Sequence, residues 1–360
     1  MKLIHAADLH MDSAFGALPQ NSARLRRAEQ RGLLKRISEL FNAEKADIML
    51  LSGDLLDSER SYAETGEALC AFCADIAAPV FIAPGNHDYY CASSPYARLR
   101  FPQNVHIFKN TAIESVALPE LNCTVWGAGF SSRSAPPLVT DFKAGGDGFN
   151  IMVMHGAAGD PFSDYNPISE ADIAASGLDY LALGHVHSYS GIRTSGKTSW
   201  AYPGCPEGRG FDETGEKGVI AAQLDESGFT AQFVPLSLRK YEILKTDISG
   251  RDALSAVAAA LPGETGMDIY RIILTGETES APDTAALAAA LSPRFFSLEI
   301  KDETRPAGDQ WDGAGDDTLR GLFIKRLRAR FEAASDEDER QTAIRALRLG
   351  LAALDNRDIL

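Results

Sequence analysis

The chain has 360 residues, 45% hydrophobic and 24% charged, with 35 Lys and Arg against 50 Asp and Glu and a formal net charge of −15. That length exceeds one ordinary core and predicts two units or more, and the composition is that of a soluble globular protein. The acidic balance argues against a protein that grips duplex nucleic acid by a basic face of its own.

Taken in chain order, the first 240 residues alternate short apolar runs with amphipathic stretches. Leu3–Ala7, Ile48–Leu51, Val80–Ala83, Ile151–Met154 and Tyr180–Leu183 are bounded by Gly, Pro and Asp and read as buried strands of an open α/β sheet. Ser22–Ala43 reads as a helix with Leu25, Leu33, Ile37, Leu40 and Phe41 on one side. Its other side carries Arg24, Arg26, Arg27, Arg31, Lys35 and Arg36, a solvated basic face. Cys70 and Cys73 form a C-x-x-C inside a second helix. With five scattered cysteines in all, reduced structural thiols are expected rather than a disulfide or zinc framework. Short alternating segments then follow at Val105–Phe108, Ile113–Ala117 and Cys123–Trp126, and again between Ser190 and Val234. Two facing sheets with helices outside, a four-layer α/β/β/α sandwich, would account for this rhythm.

From Tyr241 to about residue 304 a strand, helix, strand, helix and strand predict a small α+β module. Residues 305–317, rich in Gly and Asp, read as a linker. Residues 318–360 follow as C-terminal helices, the first with Leu319, Leu322, Phe323, Leu327 and Phe331 at helical spacing beside five basic residues. No charged leader precedes a long apolar stretch and no run would cross a bilayer, so a cytoplasmic protein without membrane association is expected.

Each of the five buried runs ends in a short polar motif: Asp8-Leu9-His10, Gly53-Asp54, Gly85-Asn86-His87-Asp88, His155-Gly156 and Gly184-His185-Val186-His187. Working residues of open α/β sheets collect beyond the strand ends, so these five places are predicted to meet in one pocket. Five of the seven histidines fall in the motifs, while His5 and His106 lie outside them. His5 sits within the first strand and reads as a satisfied core histidine. Carboxylate, imidazole and amide oxygen together suit a divalent ion such as Mn²⁺, Fe²⁺ or Zn²⁺. Asp54 is placed to bridge two ions, and a two-ion site suits in-line phosphoryl displacement by a water whose pKa falls toward roughly 7.

The ordered series D-x-H, G-D-x-x-D, G-N-H-D, H-G and G-H-x-H, from Asp8 to His187, resembles the signature of the calcineurin-like metallophosphoesterases. The resemblance implies that Asp8, His10, Asp54 and His187 hold one metal and that Asp54, Asn86, His155 and His185 hold a second. Mn²⁺ is the expected ion, with Fe²⁺, Zn²⁺ and Mg²⁺ as alternatives. By the same resemblance His87 assists the leaving group, Asp57 pairs with His87, and Asp88 is a companion to them.

Tyr202-Pro203-Gly204-Cys205-Pro206, followed by Phe211-Asp212-Glu213 and Glu216-Lys217-Gly218, resembles a stretch of SbcD-type DNA repair exonucleases, with Cys205 where serine is common. The opening Asp8-Leu9-His10-Met11-Asp12-Ser13 is similar to a YhaO-like subgroup. This resemblance implies a catalytic domain over 1–240 and a capping domain over 241–304. It also implies DNA as substrate, a docking segment for an SbcC-like, SMC-type ATPase over 318–360, and homodimerisation. Eukaryotic and archaeal nucleases of this kind carry His at the place of Asp57, so their strand handling does not transfer. Arg209 is expected in a structural salt bridge, with phosphate contact as the alternative. Two other functions stay open: a small-molecule or cyclic-nucleotide phosphodiesterase, and a weakly active architectural subunit of a DNA repair complex.

Overall fold

The computed structural model describes residues 1–16, 18–58, 60–307 and 311–355. They form two compact units, Met1–Lys240 and Tyr241–Leu360.

The first unit is built on two six-stranded sheets. In spatial order, the strands of one are Gly228–Pro235, Gly218–Asp225, Lys2–Ala6, Ile48–Leu51, Val80–Ile82 and Val105–Ile107. The last four are mutually parallel, and Lys2–Ala6 runs antiparallel to Gly218–Asp225. The other sheet is ordered Arg193–Ser195, Thr198–Ala201, Tyr180–Gly184, Phe149–His155, Cys123–Gly127 and Glu114–Leu118, with antiparallel strands only at its edges.

The period of two along each strand decides which core a side chain joins. Ile4, Ala6, Met49, Leu51, Val80 and Ile82 pack on Leu33, Leu34, Ile37, Phe41, Leu69 and Phe72 of the helices Gln20–Glu44 and Ala63–Ala74. Their alternates Leu3, Ile48, Leu50 and Phe81 pack between the sheets against Val125, Ile151, Val153, Tyr180 and Ala182. The outer face of the second sheet, with Met152, Met154, Leu181 and Trp200, is covered by Val139, Ile168, Ile173 and Leu178. The five predicted buried runs are therefore strands with apolar side chains on both faces, which is why they carry almost no alternation in the sequence.

The long helix runs from Gln20 to Glu44 and stops at Lys45, which takes up a left-handed conformation at φ 53°. Its basic side is only partly solvated, against expectation. Arg26 is fully buried, where its guanidinium donates to Glu29 Oε2 (2.8 Å), Glu207 Oε1 (2.8 Å) and the Gly208 carbonyl (3.0 Å). Arg36 donates to the other Glu207 oxygen at 3.0 Å. Helical spacing places Arg26 beside solvated arginines. Only the arrival of Glu207, 181 positions along the chain, makes burial of that charge tolerable.

In the second unit, strands Tyr241–Asp247, Ile269–Thr275 and Ser297–Asp302 pair in parallel, with helices Ala253–Ala260 and Thr284–Leu291 between them in sequence. Asp252 and Asp283 cap these helices, accepting from the Ser255 and Ala286 amides. Helices Leu319–Ala333 and Glu337–Leu354 pack on each other through Ile324, Leu327, Leu347 and Leu351. The stretch read as a linker takes part in this structure. Arg305–Pro306 pairs with Glu277–Thr278, and Trp311 and Ala314 pack against the helix pair, because an indole in a polar segment still gains by burial. Residues 308–310 of that stretch and 356–360 of the C-terminal segment lie outside the described residues. Among the described residues no helix is long and apolar enough to cross a membrane.

Candidate metal centre

The loops leaving Lys2–Ala6 and Ile48–Leu51 are zipped together by their backbones. Asp8 N donates to Gly53 O (3.0 Å), His10 N to Asp54 O (2.9 Å), Met11 N to Leu55 O (2.9 Å) and Asp57 N back to Met11 O (3.0 Å). This pairing holds Asp8, His10 and Asp54 at φ 53°, 43° and 50°. Left-handed backbone at three non-glycine residues costs free energy that the surrounding hydrogen bonds offset, a pattern found at functional sites. Gly53 itself lies at φ 83°, and a Cβ there would stand 2.8 Å from Ala83 O, Gly85 N and His155 Nδ1. A side chain at that position would push the second loop off both the third and the fourth.

Asp88 is the fastener of the third loop. Its buried carboxylate accepts from the amides of Gly85 (2.8 Å), Asp54 (3.2 Å), Leu55 (2.7 Å) and Leu56 (3.2 Å) and from Tyr96 Oη (2.5 Å). It was expected beside His87. Instead, its oxygens turn inward to these donors and bind two loops into one piece.

The expected ligands meet in three overlapping groups: Asp8, His10 and His187; Asp8, Asp54 and His155; and His10 and Asp54 together with His87, which was expected to be catalytic and not a ligand. The candidate ligand atoms of each group lie within 4.8 Å of one another. Asn86 joins through its Oδ1, 2.9 Å from His155 Nε2, and the His185 ring lies 5.2 Å from that of His155. All seven predicted metal ligands therefore surround one centre. Asp8, His10, Asp54 and His155 are buried, whereas His87 is exposed.

The proton positions show that a cation fits here. His10 Nδ1 lies 3.2 Å from Asp57 Oδ1 and His187 Nδ1 lies 2.7 Å from Glu213 Oε1, so each ring donates from Nδ1 to an oxygen that can only accept. That leaves two Nε2 lone pairs facing each other 3.1 Å apart. His155 repeats the arrangement: Nδ1 donates to the Ser52 carbonyl at 3.0 Å, and Nε2 then faces Asn86 Oδ1, another acceptor. Facing lone pairs repel unless a cation sits between them, and metal–nitrogen bonds of about 2.1 Å would separate neighbouring ligand atoms by roughly 3 Å. Burial, then the neighbouring Asp54 carboxylate, also raises the Asp8 carboxyl well above its ordinary range, a repulsion that a cation relieves. Burial lowers the His10 and His185 imidazoles to about 4, which keeps their lone pairs free at neutral pH.

Two expected partnerships are revised. The Asp57 carboxylate was to pair with His87, but it accepts from His10, from Ser13 Oγ (3.2 Å) and from Arg209 Nη1 (3.3 Å). His87 takes the Asp57 backbone carbonyl instead, at 3.1 Å from Nδ1. Three donors on one side outweigh the single ring N–H that His87 offers. Arg209 is in the structural salt bridge expected of it, with Glu213 (2.6 Å) and Asp57 (3.3 Å). Glu213 was not singled out as a site residue. It is 3% exposed; burial would raise its carboxyl, but hydrogen bonds from His187 and Arg209 outweigh that and hold it well below the ordinary range. Only its place in the Phe211-Asp212-Glu213 stretch hinted at a role, and nothing in the spacing pairs it with His187.

The pattern of the calcineurin-like phosphoesterases matches residues 1–189, which includes every candidate ligand of this centre. The chain belongs to that family. It is 26% identical over 246 residues to the uncharacterized metallophosphoesterase YhaO of Bacillus subtilis (strain 168), an alignment covering 65% of this chain and 60% of that relative. The chain thus spans less than two thirds of the relative's length. A crystal structure of TT1561 from Thermus thermophilus aligns with 64% of this chain and 98% of its own, at 12% identity and a TM-score of 0.37.

His5 lies behind this phosphoesterase centre, as a satisfied core histidine. Its Nδ1 lies 2.8 Å from Tyr180 Oη and its Nε2 3.0 Å from Ser52 Oγ, the residue whose carbonyl holds His155. Burial lowers the imidazole to about 3 from an ordinary 6.5. The unfolded chain therefore binds a proton below pH 6.5 that the folded chain refuses, and stability falls as pH drops from about 6.5 toward 3. The slope from this group approaches 1.4 kcal/mol per pH unit, so the urea midpoint should be lower at pH 5 than at pH 7. His5→Gln should flatten that dependence. An unchanged slope in the variant would contradict the assignment.

Proposed function

We propose that this phosphoesterase is a two-metal phosphodiesterase acting on DNA, working with an SbcC-like coiled-coil ATPase in DNA repair. The observation that carries the reading is the placement of the Tyr202–Gly218 stretch, the segment that resembles the DNA repair exonucleases. It winds along the ligand loop: Tyr202 Oη donates to Gly156 O (2.7 Å), Glu213 holds His187, and Lys217 Nζ donates to the His187 carbonyl (3.0 Å). The exposed rim adds support. Tyr165 is 37% exposed with its ring 5.1 Å from His185, and the neighbouring Phe162 is 93% exposed, faces on which nucleobases stack.

Asp8, His10, Asp54 and His187 would hold one ion, and Asp54, Asn86, His155 and His185 the other, with Mn²⁺ as the proposed metal. Such ions, when bound, activate water and neutralise the charge that develops on the phosphate. The chain's own contribution to the leaving group is His87. Its Nδ1–H is kept on the Asp57 carbonyl, so a proton delivered to a departing sugar oxygen comes from Nε2 of the imidazolium. His87→Gln should therefore lower kcat about 10²-fold while Mn²⁺ uptake, read by metal analysis, is kept. Lost uptake would make His87 a ligand instead.

In the second unit the helix Leu319–Ala333 turns Ile324 and Leu327 onto its neighbour and leaves Leu319 and Leu322 exposed, at 74% and 57%. These leucines and the basic residues beside them supply the surface we assign to the ATPase. The DNA reading is tested by Mn²⁺-dependent assays on bis-p-nitrophenyl phosphate and on single-stranded and duplex DNA, with and without an SbcC-like coiled-coil ATPase. Cleavage of the small ester with no cutting of either DNA, even with that ATPase present, would overturn it.

A further inference from the structure

Arg209 takes no part in the chemistry above, yet it touches both carboxylates that fix histidine ligands. Its Nη2 donates to Glu213 Oε1 at 2.6 Å, its Nε lies 3.2 and 3.3 Å from the two Glu213 oxygens, and its backbone amide donates to Oε2 at 2.8 Å. On the other side Nη1 reaches Asp57 Oδ1 at 3.3 Å and Ser13 Oγ at 3.5 Å. Nη2 also lies 3.0 Å from His187 Nδ1. Since Glu213 can only accept, the ring proton goes to the carboxylate and so do those of the guanidinium.

The chain from each ring is thus short and closed. His10 donates to Asp57, His187 donates to Glu213, and one planar cation joins the two carboxylates. His155 has no such attachment: its Nδ1 donates to the Ser52 backbone carbonyl, which the sheet holds in place. The two halves of the centre are therefore oriented by different means, one by an ionic network and one by main chain.

We propose that Arg209 is a positioning residue that locks His10 and His187, through Asp57 and Glu213, in the tautomer with Nε2 free, and so sets the affinity of one metal position only. That position is the one formed around Asp8, His10 and His187; the one around Asn86, His155 and His185 is independent of it. Lysine would keep the charge but not the fork that reaches two carboxylates in different directions. Most of the effect should pass through Glu213, which is buried, because the Asp57 side chain is 37% exposed and its ion pair is screened. The proposal rests on the metal-dependent phosphoesterase reading and is independent of the DNA substrate.

Calorimetric titration of Mn²⁺ into the metal-free full-length protein tests it. Wild type should show two binding steps. Arg209→Met should weaken one of them about 10- to 100-fold, the usual scale for groups behind the ligands, and leave the other within about threefold. Arg209→Lys should resemble Arg209→Met. Two unchanged steps would overturn the proposal, as would equal weakening of both. A raised KM with unchanged metal affinities would mean that Arg209 contacts substrate, and would overturn it too.

A second readout needs no metal. Long-range proton–nitrogen spectra of the imidazoles should show His187 protonated at Nδ1 in wild type and divided between Nδ1–H and Nε2–H tautomers in Arg209→Met; an unchanged pattern would overturn the proposal. Should Arg209→Met fail to fold, Arg209→Lys carries the same two readouts. A wild-type protein that takes up fewer than two ions would overturn the two-metal reading and this inference with it. Two ions in wild type with no change in the variants overturn the inference alone.

Discussion

Asp54→Asn should lower kcat/KM on bis-p-nitrophenyl phosphate by about 10³-fold, equivalent to about 4 kcal/mol of transition-state stabilisation. Asp54 is 2% exposed and stands between the two halves of the centre, its Oδ2 lying 3.7 Å from His10 Nε2 and 3.5 Å from His155 Nε2. Its Oδ1 accepts from the His87 amide at 2.9 Å. Burial alone would raise this carboxyl, but His155, His10 and His87 outweigh burial and hold it below the ordinary range, so it is ionised at neutral pH. Asparagine keeps the size and the hydrogen bond from His87 and removes the negative charge. The loss should therefore appear in activity and metal content, with little change in the unfolding midpoint. Steady-state assays across a Mn²⁺ series check this, together with metal analysis. A variant that keeps more than a tenth of wild-type kcat/KM at saturating Mn²⁺ would show that Asp54 is not shared by two ions.

Glu207→Gln should destabilise the protein by about 3–5 kcal/mol, the scale for breaking a buried ion pair from one side. Glu207 is 1% exposed and accepts from Arg26, from Arg36 and from the Leu238 amide at 3.1 Å. Its loss leaves the Arg26 guanidinium with only Glu29, the Gly208 carbonyl and the face of Phe15, 5.3 Å away, in a place with no solvent access. Removing both partners is a smaller insult, because no buried charge is stranded. The double change Arg26→Met with Glu207→Gln should cost less than the sum of the two single changes, by about 1 kcal/mol or more on the scale of coupled neighbours. Urea unfolding monitored by circular dichroism measures all three. Strictly additive costs would mean that the two side chains do not depend on each other. The pair ties helix Gln20–Glu44 to the loop that continues into Arg209 and Glu213. Glu207→Gln should therefore also raise the Mn²⁺ concentration needed for activity.

The strands were legible because both of their faces are buried, so each appears as an unbroken apolar run. The structure moves their ends by at most two residues, as from Ile151–Met154 to Phe149–His155. Two facing sheets were legible in the change of rhythm after Asn104. The helix pair at the C-terminus was legible from apolar spacing, whereas Trp311 and Ala314 packing against it was not, since a Gly- and Asp-rich stretch carries no period to read. The solvated reading of the helix's basic side failed at Arg26, because a helical wheel shows direction and not what arrives from 181 residues away.

By itself the sequence singled out the residues that meet at the centre. Each lies in the short polar motif at the end of a buried strand. Three of those strands belong to one sheet and two to the sheet facing it. Position along the chain therefore implies proximity within each sheet, and the packing of the two sheets brings the sets together. What holds those ligands in place was decided only by the tertiary structure. Asp57 and Arg209 are 152 positions apart, and His187 and Glu213 are 26 apart with two strands and a loop between them. No strand register ties such residues together. Which carboxylate receives which imidazole proton depends on donors that meet only after the chain has folded. For that reason Asp57 serves His10 rather than His87, and Asp88 fastens loops rather than assisting a leaving group.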